Sequence, residues 1–146
     1  MRPSVFLDTS VLLAGLASPR GASNVILALA EAGLLTLVVS EQVLVEAERN
    51  LREKLPKAIP EYERLLSTCP LERIADPSTA DVAKAKGIIH PKDLSILVAA
   101  KNAQVDYVVT LNRKHFLDDP EVAHRSGLRI GAPEDFLAWL REQLEQ

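Results

Sequence analysis

Short apolar, often β-branched runs alternate along the chain with longer stretches whose apolar residues recur at helical spacing. Val5-Phe6-Leu7 reads as a buried strand and residues 10–17 as the helix after it. Ser18-Pro19-Arg20-Gly21 predicts a loop, and a second helix over 22–32 stops at Gly33. Residues 35–39 form the clearest β run. Ser40 then stands at an N-cap position before a helix over 41–55, with Val43, Ala47, Leu51 and Leu55 on one face. Pro56 and Pro60 interrupt the chain ahead of a helix at about 61–68. A short strand at 71–74, a short helix at 79–86 closed by Gly87, a helix at 92–103 and a strand at 107–110 follow. A polar stretch, Asn112-Arg113-Lys114, precedes a short strand at 128–130 and a final helix at 133–145. Pro133 suits the first turn of that helix, and Phe136, Leu137, Leu140 and Leu144 make its expected core face.

Repeated strand-then-helix units predict an α/β fold of three layers, α/β/α, with a mainly parallel sheet between helices. The 146 residues fit one domain, 1–146, large enough for its own core, without internal repeat, low-complexity tract or linker. A hydrophobic share of 47% with 25% charged residues excludes a disordered chain. Aromatic residues are only 4%, which argues against nucleic-acid modules that work by stacking bases on a sheet. The net charge of −3 is unlike that of a general nucleic-acid binder, so contact with phosphate would need a local basic patch or a bound cation. Cys69 stands alone, so no internal disulfide forms and a reducing cytoplasm is the expected compartment. The start of the chain runs at once into a strand with no room for a signal peptide, and no apolar run approaches the roughly 20 residues needed to cross a membrane.

Ligands of open parallel sheets bind beyond the carboxyl ends of the strands. There the first strand delivers Asp8-Thr9-Ser10 and the fourth Thr110-Leu111-Asn112. Glu46 lies early in the helix after the second strand and Asp93 in the first turn of the helix leading to the fourth. Helix starts and strand ends share one edge of a βαβ unit, so Asp8, Glu46, Asp93 and Asn112 are expected to converge. Three close carboxylates repel unless a divalent cation sits among them, and oxygen donors favour Mg²⁺ or Mn²⁺ over zinc. Taken singly, each has a plainer role. Asp8 is as readily a helix cap, Glu46 a solvated helix acid, Asp93 a partner for the helix dipole and Asn112 a turn residue. The coincidence of four separated positions at one rim carries the functional reading.

The same positions carry a resemblance. The strand ending in Asp8-Thr9-Ser10, Glu46 within Ser40-Glu41-Gln42-Val43-Leu44-Val45-Glu46, the block from His90-Pro91-Lys92-Asp93 to Ala100, and Val108-Val109-Thr110-Leu111-Asn112-Arg113-Lys114-His115-Phe116 together resemble the four acidic blocks of PIN domains. They occur in the right order over roughly residues 5–136. The resemblance implies a parallel sheet with helices on both faces, carboxylates binding Mg²⁺ or Mn²⁺, and hydrolysis of RNA phosphodiester bonds. Small members of this kind include toxins of VapC-type toxin–antitoxin pairs. It implies a catalytic and metal-binding set of Asp8, Glu46, Asp93 and Asn112, with Ser10 and Thr110 hydroxyls as orienting groups. Lys92, Arg113 and Lys114, with Arg20 as a further candidate, would meet the RNA backbone, though each is equally a solvated surface charge. His115 offers a proton-transfer group or a packed, capping side chain. An antitoxin covering the site, presenting an Arg to the carboxylates and using a groove on the helices up to about Leu66, and a homodimer are implied partners.

One position departs from the pattern. The fourth block often has Asp where this chain has Asn112, which brings no charge and weakens any second metal site; Asp118 and Asp119 either compensate or belong to a solvated loop. A PIN fold that binds nucleic acid or protein without cutting is the alternative. A signalling receiver would need an acidic pair at the end of the first strand, and phosphotransfer hydrolases a second Asp where Ser10 stands.

Overall fold

A computed structural model describes residues 2–146, the side chain of Lys92 excepted. Five strands form the sheet: β1 (Ser4–Leu7), β2 (Thr36–Ser40), β3 (Leu71–Ile74), β4 (Tyr107–Val109) and β5 (Ile130–Gly131). They lie in the order β3-β2-β1-β4-β5, and every pairing is parallel. Phe6 sits opposite Val38 on one side and Val108 on the other. The chain therefore builds outward from β1 to β3, then returns to lay β4 against the other side of β1. This reversal creates a switch point between β1 and β4, where the loops after the two strands diverge and leave a crevice.

The helices are α1 (Thr9–Ala17), α2 (Ala22–Glu31), α3 (Glu41–Lys54), α4 (Ile59–Thr68), α5 (Thr79–Lys84), α6 (Pro91–Asn102), α7 (Pro120–Ser126) and α8 (Pro133–Leu144). They enclose the sheet in the three-layer α/β/α arrangement. Helix α1 packs on α2 and α3, α8 packs on α2, β4 and β5, and α6 packs on α5 and β2. Val5, Phe6, Leu7, Leu37, Val39, Val108 and Val109 are fully buried, as apolar runs must be in a sheet covered on both faces. Each such side chain contributes about 1.5–3 kcal/mol by leaving water. Edge strand β3 instead exposes Glu72 and Arg73, charges that discourage pairing with another sheet.

Several elements differ from the sequence pattern, each for a local reason. Pro56 opens a 3₁₀ turn, Pro56–Ala58, that runs directly into α4, and Pro60 occupies the first turn of that helix, where a missing N–H costs nothing. The polar segment after β4 holds a single π-helical turn, Arg113–Leu117, and then α7. Asp119 caps α7, Pro120 starts it and Gly127 ends it at φ 74°, a left-handed conformation that suits glycine. Strand β5 begins two residues later than the pattern suggests. Leu144 is 68% exposed because the apolar stripe of α8 outlasts the surface it packs against; Phe136 and Leu140 are buried, Leu137 is half-buried, and Trp139 lies against Tyr107 and Phe136.

Among the described residues no single helix is long and apolar enough to cross a membrane. The bent pair α1 and α2 passes by length and composition, but Val11, Leu12, Ile26 and Leu27 of that pair are core residues.

Candidate metal centre

The switch point is lined first by Asp8. Its backbone N–H donates to Val109 O at 3.1 Å, tying the end of β1 to the end of β4. Its side chain is both helix cap and buried acid: Oδ1 accepts from Thr9 N at 2.8 Å and Oδ2 from Thr110 Oγ1 at 2.8 Å. Only 7% of the residue is exposed. Burial pushes this carboxyl above the usual carboxylate range. The Thr110 hydroxyl and the Thr9 amide oppose the rise, while the negative charges of Asp93 and Glu46 add to it. The plain role and the chemical one thus coexist in a single residue.

Glu46 arrives from α3, which Ser40 caps by accepting from Val43 N at 3.3 Å. Its Oε2 accepts from Thr9 Oγ1 at 3.0 Å and its Oε1 from Gln42 Nε2 at 3.0 Å. Gln42 in turn accepts from Ser95 Oγ on α6. Both oxygens of Glu46 are thereby aimed, one by Thr9 of α1 and one by Gln42 of its own helix, which Ser95 of α6 holds in turn.

Asp93, with a 15% exposed side chain, comes from the first turn of α6, where its N–H donates to His90 O at 2.9 Å. Its Oδ2 meets His115 Nδ1 in a short contact. Asn112 caps the π-helical turn that presents His115: its Oδ1 accepts from His115 N at 3.1 Å, and its Nδ2 lies 3.5 Å from His115 Nδ1. The Asn112 N–H donates to Thr110 Oγ1 at 3.0 Å. Thr110 therefore joins the Asp8 carboxylate to the turn that carries His115. The His90 and His115 rings stack, with centroids 4.3 Å apart and planes within 3°. His90, Asp93 and His115 place ligand atoms within 4.8 Å of one another.

Thr9 bonds to both Asp8 and Glu46, and the chain of contacts Thr110–Asn112–His115 leads from Asp8 to Asp93, so the three acids share this rim. Asn112 reaches the same rim, but its carbonyl oxygen is given to the His115 amide. The hydroxyl of Thr110 orients a carboxylate, whereas Ser10 Oγ accepts from Leu111 N at 3.3 Å and braces the loop after β4. Arg113 and Lys114 are exposed beside Asn112, with Arg113 loosely paired to Asp118 at 3.6 Å. Lys92 was a third such candidate; its side chain lies outside the described residues. Arg20 is exposed on the loop after α1. Asp118 and Asp119 are exposed between the π-helical turn and α7, as solvated loop residues are, and Asp119 also caps α7.

Three residues of the site went unassigned in the sequence reading: Thr9 and Gln42, which hold Glu46, and His90. Thr9 follows Asp8 directly and Gln42 precedes Glu46 by one helical turn, the spacing at which side chains meet. His90 precedes Asp93 by three residues, a further signal of a shared face. Among the described residues no buried side-chain nitrogen or oxygen lacks a partner. The acids are held in place before any ligand arrives, which suits a hard divalent cation bound by carboxylate oxygens.

The chain's relatives agree with this architecture. The profile of the PIN domain matches residues 4–114. Among proteins of curated function, none has a significantly similar sequence. Among solved structures, VapBC2 from Rickettsia felis, bound to a DNA fragment from its promoter, aligns at TM-score 0.64 and 21% identity over 88% of this chain and 98% of that one. DNA-bound VapBC from Salmonella typhimurium aligns at 0.61 and 18% over 91% and 99%. The PIN domain of human SMG5 aligns at 0.54 and 16% over 94% and 99%. At these identities the likeness to the solved structures is one of fold. The profile match, covering most of the chain and including Asp8, Glu46, Asp93 and Asn112, shows that the chain belongs to the PIN domain family.

Proposed function

We propose that this chain is a metal-dependent endoribonuclease that hydrolyses RNA phosphodiester bonds with Mg²⁺ or Mn²⁺, serving as the toxin of a type II, VapC-type toxin–antitoxin pair. The observation that carries this reading is the convergence of Asp8, Glu46 and Asp93 at the β1/β4 switch point, with Asp8 buried. A folded chain tolerates such crowding of acids when a cation offsets it. Family membership and the shared fold with two VapBC assemblies support the class of activity and of partner.

When bound, the cation supplies Lewis acidity toward a phosphate oxygen and an acidified water as nucleophile. The chain's own residues do the rest. Asp8, Glu46 and Asp93 hold the ion; Thr9, Gln42 and Thr110 fix the rotation of the carboxylates so that no reorganisation is needed during reaction. Asn112 acts through His115 and Thr110 as a positioning residue, and the exposed Arg113 and Lys114 meet the backbone of a single strand or loop laid across the rim. An antitoxin segment would fit the cleft of about 340 Å³ between α3 and α4, where Leu51, Ile59, Tyr62 and Leu66 are flanked by Glu48 and Arg52. A homodimer and a cytoplasmic setting complete the proposal.

The test is cleavage of a panel of structured and single-stranded RNAs with Mg²⁺, Mn²⁺ or EDTA. The reading expects metal-dependent cutting that disappears in Asp8→Asn and Asp93→Asn. Cutting that survives both substitutions refutes it. The alternative, a PIN fold that binds without cutting, draws on the uncharged Asn112 in the fourth block. It gains ground if metal and RNA both bind and no product forms.

A further inference from the structure

We propose that His90, Asp93 and His115 form a second cation subsite of mixed nitrogen and oxygen donors, suited to a borderline divalent ion such as Zn²⁺, beside the all-carboxylate subsite of Asp8, Glu46 and Asp93 and sharing Asp93 with it. The three residues come from the loop before α6, the first turn of α6 and the π-helical turn after β4. Their ligand atoms lie within 4.8 Å of one another. For all three to share an ion at ordinary Zn–N and Zn–O distances of about 2.0–2.2 Å, the two imidazoles turn out of their parallel stack, because each nitrogen lone pair lies in its ring plane. The Asp93–His115 contact also opens to admit the ion.

The surroundings support a built site. His115 is fixed from two directions, by Asn112 Oδ1 on its backbone N–H and by the Asp93 carboxylate at its ring. Its ring lies face to face with His90, which brings the second imidazole within reach of the same place. Because His90 is exposed while Asp93 and His115 are partly buried, an ion from solvent has an open approach and a protected seat. Two imidazoles and one carboxylate leave coordination positions open, the donor pattern of a catalytic rather than a purely structural ion, and imidazole selects transition-row ions over Mg²⁺.

Asp93 is common to both subsites. Its charge bears on Asp8, and its Oδ2 meets His115. The uncharged Asn112 then takes on a specific sense. In place of a fourth carboxylate, the turn after β4 presents an imidazole, and Asn112 is spent on holding that imidazole in position. The subsite would exist whether or not the chain cuts RNA, so binding measurements test it separately from the nuclease proposal.

The probes are Zn²⁺, followed by competition with a chromophoric chelator, and Co²⁺, whose visible absorption intensifies on ligation in a low-symmetry site. The full chain would be compared with His90→Ala, His115→Gln and Asp8→Asn, with circular dichroism as a control for folding. The expected result is one strong Zn²⁺ site with a matching Co²⁺ spectrum. Each histidine substitution should weaken it by at least roughly 10–100-fold, since losing even a supporting partner of a ligand costs that much. Asp8→Asn should retain it. His90 is exposed, so His90→Ala tests the site even if His115→Gln fails to fold. Equal affinity in the parent and both histidine variants overturns the proposal, as does loss in Asp8→Asn with retention in the histidine variants. Absence of Zn²⁺ and Co²⁺ binding also overturns it, leaving His115–Asp93 as a hydrogen-bonded pair.

Discussion

Thr110 gives the sharpest test of how the centre is held together. It is completely buried, donates to Asp8 Oδ2 at 2.8 Å and accepts from Asn112 N at 3.0 Å. Valine reproduces its shape and removes both bonds; serine keeps the hydroxyl and removes a methyl. If packing dominated, Thr110→Ser would be the worse substitution, by about 1 kcal/mol for the lost buried methyl. If the hydrogen bonds dominate, Thr110→Val costs more. Losing a bond to an ionised acceptor costs about 1.5–3 kcal/mol, and leaving the half-buried Asn112 N–H without its partner adds to that. A loss of roughly 2–4 kcal/mol follows, equivalent to a Tm lowered by about 6–12 °C in a domain of this size. The effect has a pH signature with a defined sign. The Thr110 bond favours the ionised form of Asp8, so its loss raises the folded pKa of Asp8 further above the ordinary value. The difference between Thr110→Val and the parent is therefore full where Asp8 is ionised and shrinks as pH falls through its folded pKa. Calorimetric melting in EDTA at neutral and mildly acidic pH, with Mn²⁺ titration alongside, reads all of this. Affinity for Mn²⁺ should fall by roughly 10–100-fold in Thr110→Val and little in Thr110→Ser. A Thr110→Val protein as stable as Thr110→Ser, or a gap that does not narrow in acid, would refute the reasoning.

Asp8→Asn should act oppositely on stability and function. Because burial raises the folded pKa of Asp8, the ionised residue destabilises the metal-free fold increasingly as pH rises from the ordinary carboxylate range through that raised value. The variant should melt higher than the parent in EDTA at neutral pH, with the advantage vanishing in acid, while Mn²⁺ no longer raises its Tm appreciably; a lower neutral-pH Tm would count against the account. Gly131→Ala places a Cβ 2.4 Å from Tyr107 Oη and 2.8 Å from Asp135 Cβ, and should cost about 1–3 kcal/mol by chemical denaturation. Leu144→Ala should change the denaturation midpoint negligibly, since that side chain is mostly exposed, and a loss like that of a core leucine would place it in an unseen contact.

Much of the fold was legible because the buried strands read as unbroken apolar runs and the helices as periodic ones. Val5-Phe6-Leu7 and residues 36–39 fall within the sheet because both faces are covered, Leu35 lies just before it, and Ser40 marks the start of α3 through the bond it makes. What escaped lies after β4. The π-helical turn and α7 span too few residues to show a period, and their boundaries are set by single caps at Asn112 and Asp119. The prolines misled in one place for a related reason. Pro60 breaks a helix interior but begins one as readily, and its neighbours alone do not say which.

The site was legible to the extent that its residues stand at strand ends and helix starts, since the order of the strands alone decides which ends are adjacent. Asp8 and Thr110 meet because β1 and β4 are neighbours at the reversal of the sheet, and Asp93 joins them because α6 leads into β4. Side-chain partnership carries no such signature. An Asn in place of an expected Asp looks like a loss when read along the sequence. In the folded chain its carbonyl supports His115, His115 meets Asp93, and His90 stacks on the far side. The substitution moves charge away from the turn after β4 and puts nitrogen donors beside the acids. The consequence follows from ligand chemistry. A centre with this donor set should discriminate among divalent ions more sharply than carboxylates alone, because Mg²⁺ gains little from imidazole and transition-row ions gain much.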